Sequence, residues 1–366
     1  MAQFKVKTVR ISFSGTGTQT FSLGSGWGTP EAAIFFASGE NANIDNDAST
    51  NEDSSFAYGF ATGTGSSDAA VTNIYIDGNS GDSWYEQYDS SWDLFTIYDH
   101  DGGIAMSCTL NQSGGPGTDK WDINVSSNTY GTVYITGIFF VGLEDSYCAR
   151  LTKAGGTSTE NFTGAGFEPT VCFFIPSTLG FNATWTNGIN CGFGMAHNTG
   201  GSPAIVQGSY SVGALHAQKK TDIECYGSIE HVFTEIAQGD AGTVNHLVKV
   251  SSFLSTGFQL QQETATDSAN SLQFGVLALK LPSGVSAWLD IDDGESTTGS
   301  KTRTPGFEAQ FVQYFIGIGR DSVGSDTLTN GAAPSLDGYL VFGGAEPSGG
   351  SPASTSYCAY IGEQNA

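Results

Sequence analysis

Apolar residues recur in short runs along the whole chain, each closed by Gly, Asn, Ser or Asp. Phe4, Val6, Val9, Ile11 and Phe13 alternate but change phase between Val6 and Val9, which predicts a strand with a register break. Further runs at Phe21–Leu23, Ala32–Phe36, 56–61, 72–76, 92–98, 104–110, 120–125 and 132–143 read as strands. Turn signals between them fall at the spacing of a β-sandwich or jelly roll. Two runs, Val133–Val141 and Leu272–Lys280, are apolar at both parities, as in central strands covered on each side. Val248–Leu254 and Gly257–Leu260 form a hairpin-like pair, and a short helix is expected around Ile229 to Ala237.

A longer period overlies the strands. Gly26-Trp27, Gly166-Phe167 and Gly306-Phe307 stand 140 residues apart. Each precedes a run ending in paired aromatics: Phe35-Phe36, Phe173-Phe174 and Tyr314-Phe315. A polar loop follows each, then a second glycine–aromatic pair: Gly59-Phe60, Gly192-Phe193 and Gly338-Tyr339. Gly137 and Gly275 mark the late apolar strands. A period of this length is a small domain. The expected fold is all-β: tandem β-sandwich or jelly-roll-like repeats over 1–145 and 146–285, and a partial third over 286–366 that packs on a neighbouring repeat or subunit. In these motifs Gly26, Gly166 and Gly306 supply a positive-φ turn, and Trp27, Phe167 and Phe307 bury on the sandwich.

Composition agrees with strands more than helices. Of 366 residues 50 are Gly, and only 14% are charged. Thirteen Lys and Arg against 37 Asp and Glu give a net charge of −24, unsuited to phosphate neutralisation, so neither nucleic acid nor an anionic membrane is an expected partner. Six cysteines are too few for a disulfide scaffold and several sit in apolar strands, although a Cys172–Cys191 bridge is conceivable. The first residues lack a signal-peptide core, from which synthesis in a host cytoplasm is expected.

Candidate chemistry is sparse. The five histidines are not spaced for a helix-borne zinc pair, and no G-x-S-x-G or H-E-x-x-H motif occurs. Asp99 and Asp101, and Asp290, Asp292, Asp293 and Glu295, crowd carboxylates onto single turns. That arrangement suits a solvated turn or a calcium site better than the separated acids of a glycosidase. The acidic loop from Asp45 to Asp53 reads the same way. Trp84, Tyr85, Tyr88 and Trp92 form an aromatic group suited either to stacking on a glycan or to a subunit interface. No catalytic residue and no obligatory cofactor is expected.

The block Asn161–Phe174, with its Gly-Phe-Glu-Pro followed by an apolar strand, resembles a pattern found in structural proteins of tailed bacteriophages, especially marine ones. Gly26-Trp-Gly-Thr-Pro-Glu-Ala-Ala-Ile-Phe-Phe36 carries it with one inserted residue, and the block after Gly306 lacks the proline. The resemblance implies a non-enzymatic virion component, decorating a capsid or belonging to a tail or fibre. Its partners would be other virion subunits and copies of itself. The alternative is a receptor- or glycan-binding tail protein that uses the 84–92 aromatics.

Overall fold

The computed structural model describes residues 3–39, 53–63, 70–77, 83–87, 93–98, 104–109, 115–129, 131–177, 188–215, 223–236, 244–265, 271–289, 304, 312–318, 338–347 and 354–363. The fold is all-β, and among the described residues there is no helix and so none long and apolar enough to cross a membrane.

The chain opens with β1 (Lys5–Phe13), β2 (Gly17–Ser22), β3 (Ala32–Gly39) and β4 (Asp53–Thr62). Next come β5 (Ala70–Asp77), β6 (Ser83–Gln87), β7 (Asp93–Tyr98) and β8 (Ile104–Thr109). The short β9 (Gly115–Gly117), then β10 (Lys120–Asn128) and β11 (Val133–Val141), complete a first sandwich. Its large sheet has the order β1-β11-β3-β4-β5-β6 and its small sheet β2-β10-β8-β7, with β9 also on β10.

A second sandwich follows after three residues. It contains β12 (Asp145–Lys153), β13 (Thr159–Phe162), β14 (Val171–Ser177), β15 (Gly188–Asn198) and β16 (Ile205–Leu215). It continues through β17 (Ile223–Ser228), β18 (Phe233–Ile236), β19 (Val244–Leu254), β20 (Gly257–Ala265) and β21 (Leu272–Lys280). Its sheets are ordered β12-β21-β14-β15-β16-β17 and β13-β20-β19-β18, matching the first pair strand for strand apart from β9. A third sheet is the meander β22 (Val312–Ile318), β23 (Gly338–Pro347) and β24 (Ser354–Glu363). Its strands approach β1, β3 and β4 of the first large sheet and β16 and β17 of the second.

Three apolar cores separate four layers. Phe21, Trp121, Phe35 and Phe139 fill the first sandwich, and Phe258, Phe174, Phe274 and Phe233 fill the second. The third core lies between the two large sheets. There Ile34, Phe36, Tyr58, Phe60 and Phe140 meet Phe173, Ile175, Phe193, Leu277 and Leu279. The stacking is therefore small sheet, large sheet, large sheet, small sheet. This explains the uninterrupted apolar runs of β11 and β21, since each faces its own sandwich on one side and the other sandwich on the opposite side.

Covered faces also account for the phase change in the first strand. β1 pairs with β11 through nine consecutive residues without a bulge, so no register break occurs. Val6 faces the shared core, whereas Val9, Ile11 and Phe13 face the first sandwich. The strand is continuous, and what changes along it is the face that has a partner.

The ladders also correct how the two sandwiches align. Phe35 and Phe174 both face their own sandwich, so Phe174 answers Phe35 and Phe173 answers Ile34. Phe35 lies across from Gly59 and Phe174 from Gly194, which makes Gly194, not Gly192, the counterpart of Gly59. Gly137 stands opposite Phe35 and Val276 opposite Phe174, so Gly275 is not the counterpart of Gly137. A Cβ at Gly137 would meet the Phe139 ring at 2.4 Å; the second sandwich fills the same space with Val276 and Ala278. Volume is conserved by exchanging which of two neighbours is large.

Candidate functional site: an adhesive face and a buried polar cluster

The shared layer is an extended contact between the two large sheets. Tyr58 and Phe193 hold equivalent places in the two ladders, each preceding the glycine across from the inward Phe, and their rings lie 6.4 Å apart. A residue that touches its own counterpart is the signature of a two-fold, self-complementary interface. Phe60 adds edge and tilted contacts to Phe193 at 6.0 Å and Phe173 at 6.4 Å, and Phe140 reaches Phe173 at 6.4 Å. The Tyr58 hydroxyl donates to the Gly192 carbonyl at 2.8 Å within this layer, so its buried polar tip finds an acceptor. The link between sandwiches is fixed as well. Gly142 N–H donates to the Glu31 carboxylate at 2.8 Å, and Ser146 Oγ donates to the Glu31 carbonyl at 3.1 Å. Burial pushes the Glu31 carboxyl upward, partly offset by the backbone donors Gly142 and Leu143.

The glycine–aromatic motifs are turns, as expected, but they are held differently. Gly26 and Gly166 have φ of 84° and 77°, conformations that favour glycine. Phe167 is buried in the second core, whereas Trp27 is half-buried at the rim of the first. The Lys5 and Lys7 ammonium groups lie 5.4 and 5.3 Å from the Trp27 ring. Asp119 accepts from Gly28 N–H at 2.7 Å and Gly26 N–H at 3.1 Å, and these donors, Gly28 first, hold its carboxyl below the usual range. Gly306 and Phe307 lie outside the described residues.

A second feature escaped sequence reasoning. Ser228 Oγ lies 2.8 Å from His231 Nδ1, His231 Nε2 lies 3.1 Å from Glu263, and Lys249 donates to the other Glu263 oxygen. The order of groups mimics a serine–histidine–carboxylate relay, but the geometry does other work. Ser228 Oγ accepts the backbone N–H groups of Glu230 and His231, both at 3.1 Å. With its proton directed at Nδ1, its hydrogen-bonding capacity is full. Ser228 and His231 are buried, and the hydroxyl caps the turn that leads into β18. The Ser-x-x-His spacing of such a side-chain-capped turn was visible in the sequence; Glu263 and Lys249 were not, because β19 and β20 bring them in from afar. The turn and β18 occupy the stretch where a helix was expected. Phe233–Ile236 instead extend along β19, where Val232 and Phe233 reach the core.

Other expected sites resolve as follows. Trp84 and Tyr85 are successive positions of the edge strand β6, paired with Ile76 and Tyr75; Tyr88 and Trp92 lie outside the described residues. Asp99, Asp101, Asp290, Asp292, Asp293 and Glu295 also lie outside them, as does most of the 45–53 loop. Among the described residues no cluster of three metal-ligating side chains occurs. Cys172 is a free, buried thiol pushed well up by burial, and it faces Ala196, whereas Cys191 lies across from Ser177 at the far end of β14. The five-residue offset, about 16 Å along a strand, precludes a bridge between them. No protein-family profile, curated protein or solved structure matches the chain.

Proposed function

We propose that this protein is a non-enzymatic structural component of a bacteriophage virion, a capsid decoration or a tail or fibre element that works by subunit–subunit adhesion. In this reading the chain is one sandwich unit written twice, followed by part of a third. The observation that carries the reading is the shared layer, in which the outer faces of two large sheets bury aromatic side chains against each other. Within the chain these two faces already cover each other, so modules of this kind adhere through apolar, aromatic sheet faces. The Gly-aromatic-x-Pro resemblance supports the virion assignment. The net charge of −24 favours partners other than nucleic acid. Light scattering coupled to size exclusion tests the assembly role; a well-folded protein that stays monomeric at all accessible concentrations would refute it.

A second reading, glycan binding through Trp84 and its neighbours, draws on the place of β6 at a sheet edge. A glycan array would show signal that disappears when Trp84 and Trp92 are changed to Ala. A signal that survived both changes would remove this reading.

A further inference from the structure

We infer that Ser228, His231 and Ser209 form a proton-operated latch on the turn into β18: charging the His231 ring exchanges one set of hydrogen bonds for another and loosens the turn. The inference stands apart from the assembly reading.

Hydrogen-bond capacity is its first support. A hydroxyl has one proton and two lone pairs. Ser228 Oγ accepts the N–H groups of Glu230 and His231 on its lone pairs, and its proton points to His231 Nδ1 at 2.8 Å. On the other side of the ring, Nε2 faces the Glu263 carboxylate at 3.1 Å. An ionised carboxylate only accepts, so Nε2 carries the ring's proton and the imidazole held in this way is neutral. A second proton, taken from solvent onto Nδ1, sets an N–H against an oxygen whose lone pairs are both in use. The charged ring keeps Glu263 but not the whole cap, and one backbone N–H of the turn is released from Ser228.

The displaced Ser228 proton has an acceptor waiting. Ser209 on β16 stands directly across from Ser228 on β17, which sets their Cβ atoms about 5 Å apart on one face of the sheet. Ser209 Oγ is buried and finds no hydrogen-bond partner among the described residues. Its neighbours on that face of β16 are engaged. Gln207 donates to the Val250 carbonyl and accepts the Val250 N–H, while Ser211 donates to the Thr234 carbonyl and accepts the Thr234 hydroxyl. An idle buried hydroxyl costs free energy in the neutral state, and a Ser228 hydroxyl rotated away from the ring supplies its missing bond.

The group that steadies the charged ring is also placed by the fold. Glu263 is the extra residue of a bulge where β20 passes Leu247 and Val248, and bulges re-aim side chains. Lys249 donates to its other oxygen and holds the carboxyl below its ordinary range, so Glu263 is ionised throughout the interval in which imidazoles titrate. The surrounding elements bring other titratable groups. Glu230 lies in the turn, Glu235 on β18 and His246 on β19 are register partners, and Cys172 on β14 is kept a thiol by burial. Tyr210 on β16 faces the shared core, His197 on β15 has the parity of Phe193 in that core, and Glu224 on β17 stands farther along, opposite Gly213.

Amide exchange on the full chain, read as protection factors at about pH 7.5 and about pH 5, brackets the imidazole range and tests the latch. Protection over 229–236 should fall about tenfold at the lower pH, the worth of one lost hydrogen bond, while β14 and β21 keep theirs. Nitrogen chemical shifts of the His231 ring should show a proton on Nε2 alone at the higher pH, with a titration midpoint that matches the loss of protection. Ser209→Ala leaves the neutral state intact and removes the waiting acceptor, so it should lower that midpoint by about half a pH unit or more. Protection that ignores pH, a loss that follows His246 and not His231, or a midpoint unmoved in Ser209→Ala would each overturn the inference.

Discussion

Gly194 shows how little room single residues have where layers meet. A Cβ at this position would lie 1.5 Å from the Val232 carbonyl oxygen, a backbone atom that cannot swing aside. Gly194→Ala should therefore cost about 2–4 kcal/mol, comparable with overpacking plus backbone displacement, read as a fall in the urea midpoint. Glu263 gives a pH-dependent counterpart. The Lys249 hydrogen bond, with help from His231 and against some desolvation, holds its carboxyl below the ordinary 4.5. A carboxylate depressed in the folded state contributes its stability above that value and loses it as pH falls through the folded-state pKa. Acid unfolding followed by near-UV circular dichroism should steepen below pH 4.5, and Glu263→Gln should flatten that segment of the curve while lowering stability at neutral pH. An unchanged acid limb in the variant would show that the pair contributes nothing.

At the scale of the strand, β1 tests the idea that one continuous element serves two cores. Val6→Ala removes a contact from the shared layer, whereas Phe13→Ala opens the first sandwich. The expected losses are about 1–2 and about 3–5 kcal/mol respectively. Their exchange signatures should differ: faster amide exchange in β14 for Val6→Ala and in β10 for Phe13→Ala. Strands of this kind were legible in the sequence, because alternation and turn residues are local. What periodicity could not supply is which face has a neighbour. The phase change after Val6 therefore suggested a bulge. Equivalences counted from motif to motif drifted by one or two residues because the intervening turns differ in length, and only ladder pairing fixed Phe174 against Phe35. The missed Ser228–His231–Glu263 cluster has the same origin, since its members meet only once β19 and β20 are paired.

For the molecule as a whole, the shared layer joins the two sandwiches through one buried core, from which cooperative unfolding is expected. Phe60→Ala and Phe173→Ala, which remove rings 6.4 Å apart, should each cost about 3–5 kcal/mol and should couple by about 0.5–1.5 kcal/mol in a double-mutant cycle. Calorimetry should show one transition for the native chain and two for the double variant. Two transitions in the native chain would mean that the halves melt independently and that the layer is a weak contact. The three-residue connection from Val141 to Asp145 has one more consequence. With sheets stacked about 10 Å apart, four of them form a slab about 40 Å thick through its layers. The short tether, pinned at Gly142 by Glu31, leaves the slab no hinge. Under the proposed assembly role, a lattice or shaft that took up this protein would receive a plate of set thickness, and its repeat distance would follow that gauge and not any flexing inside the plate.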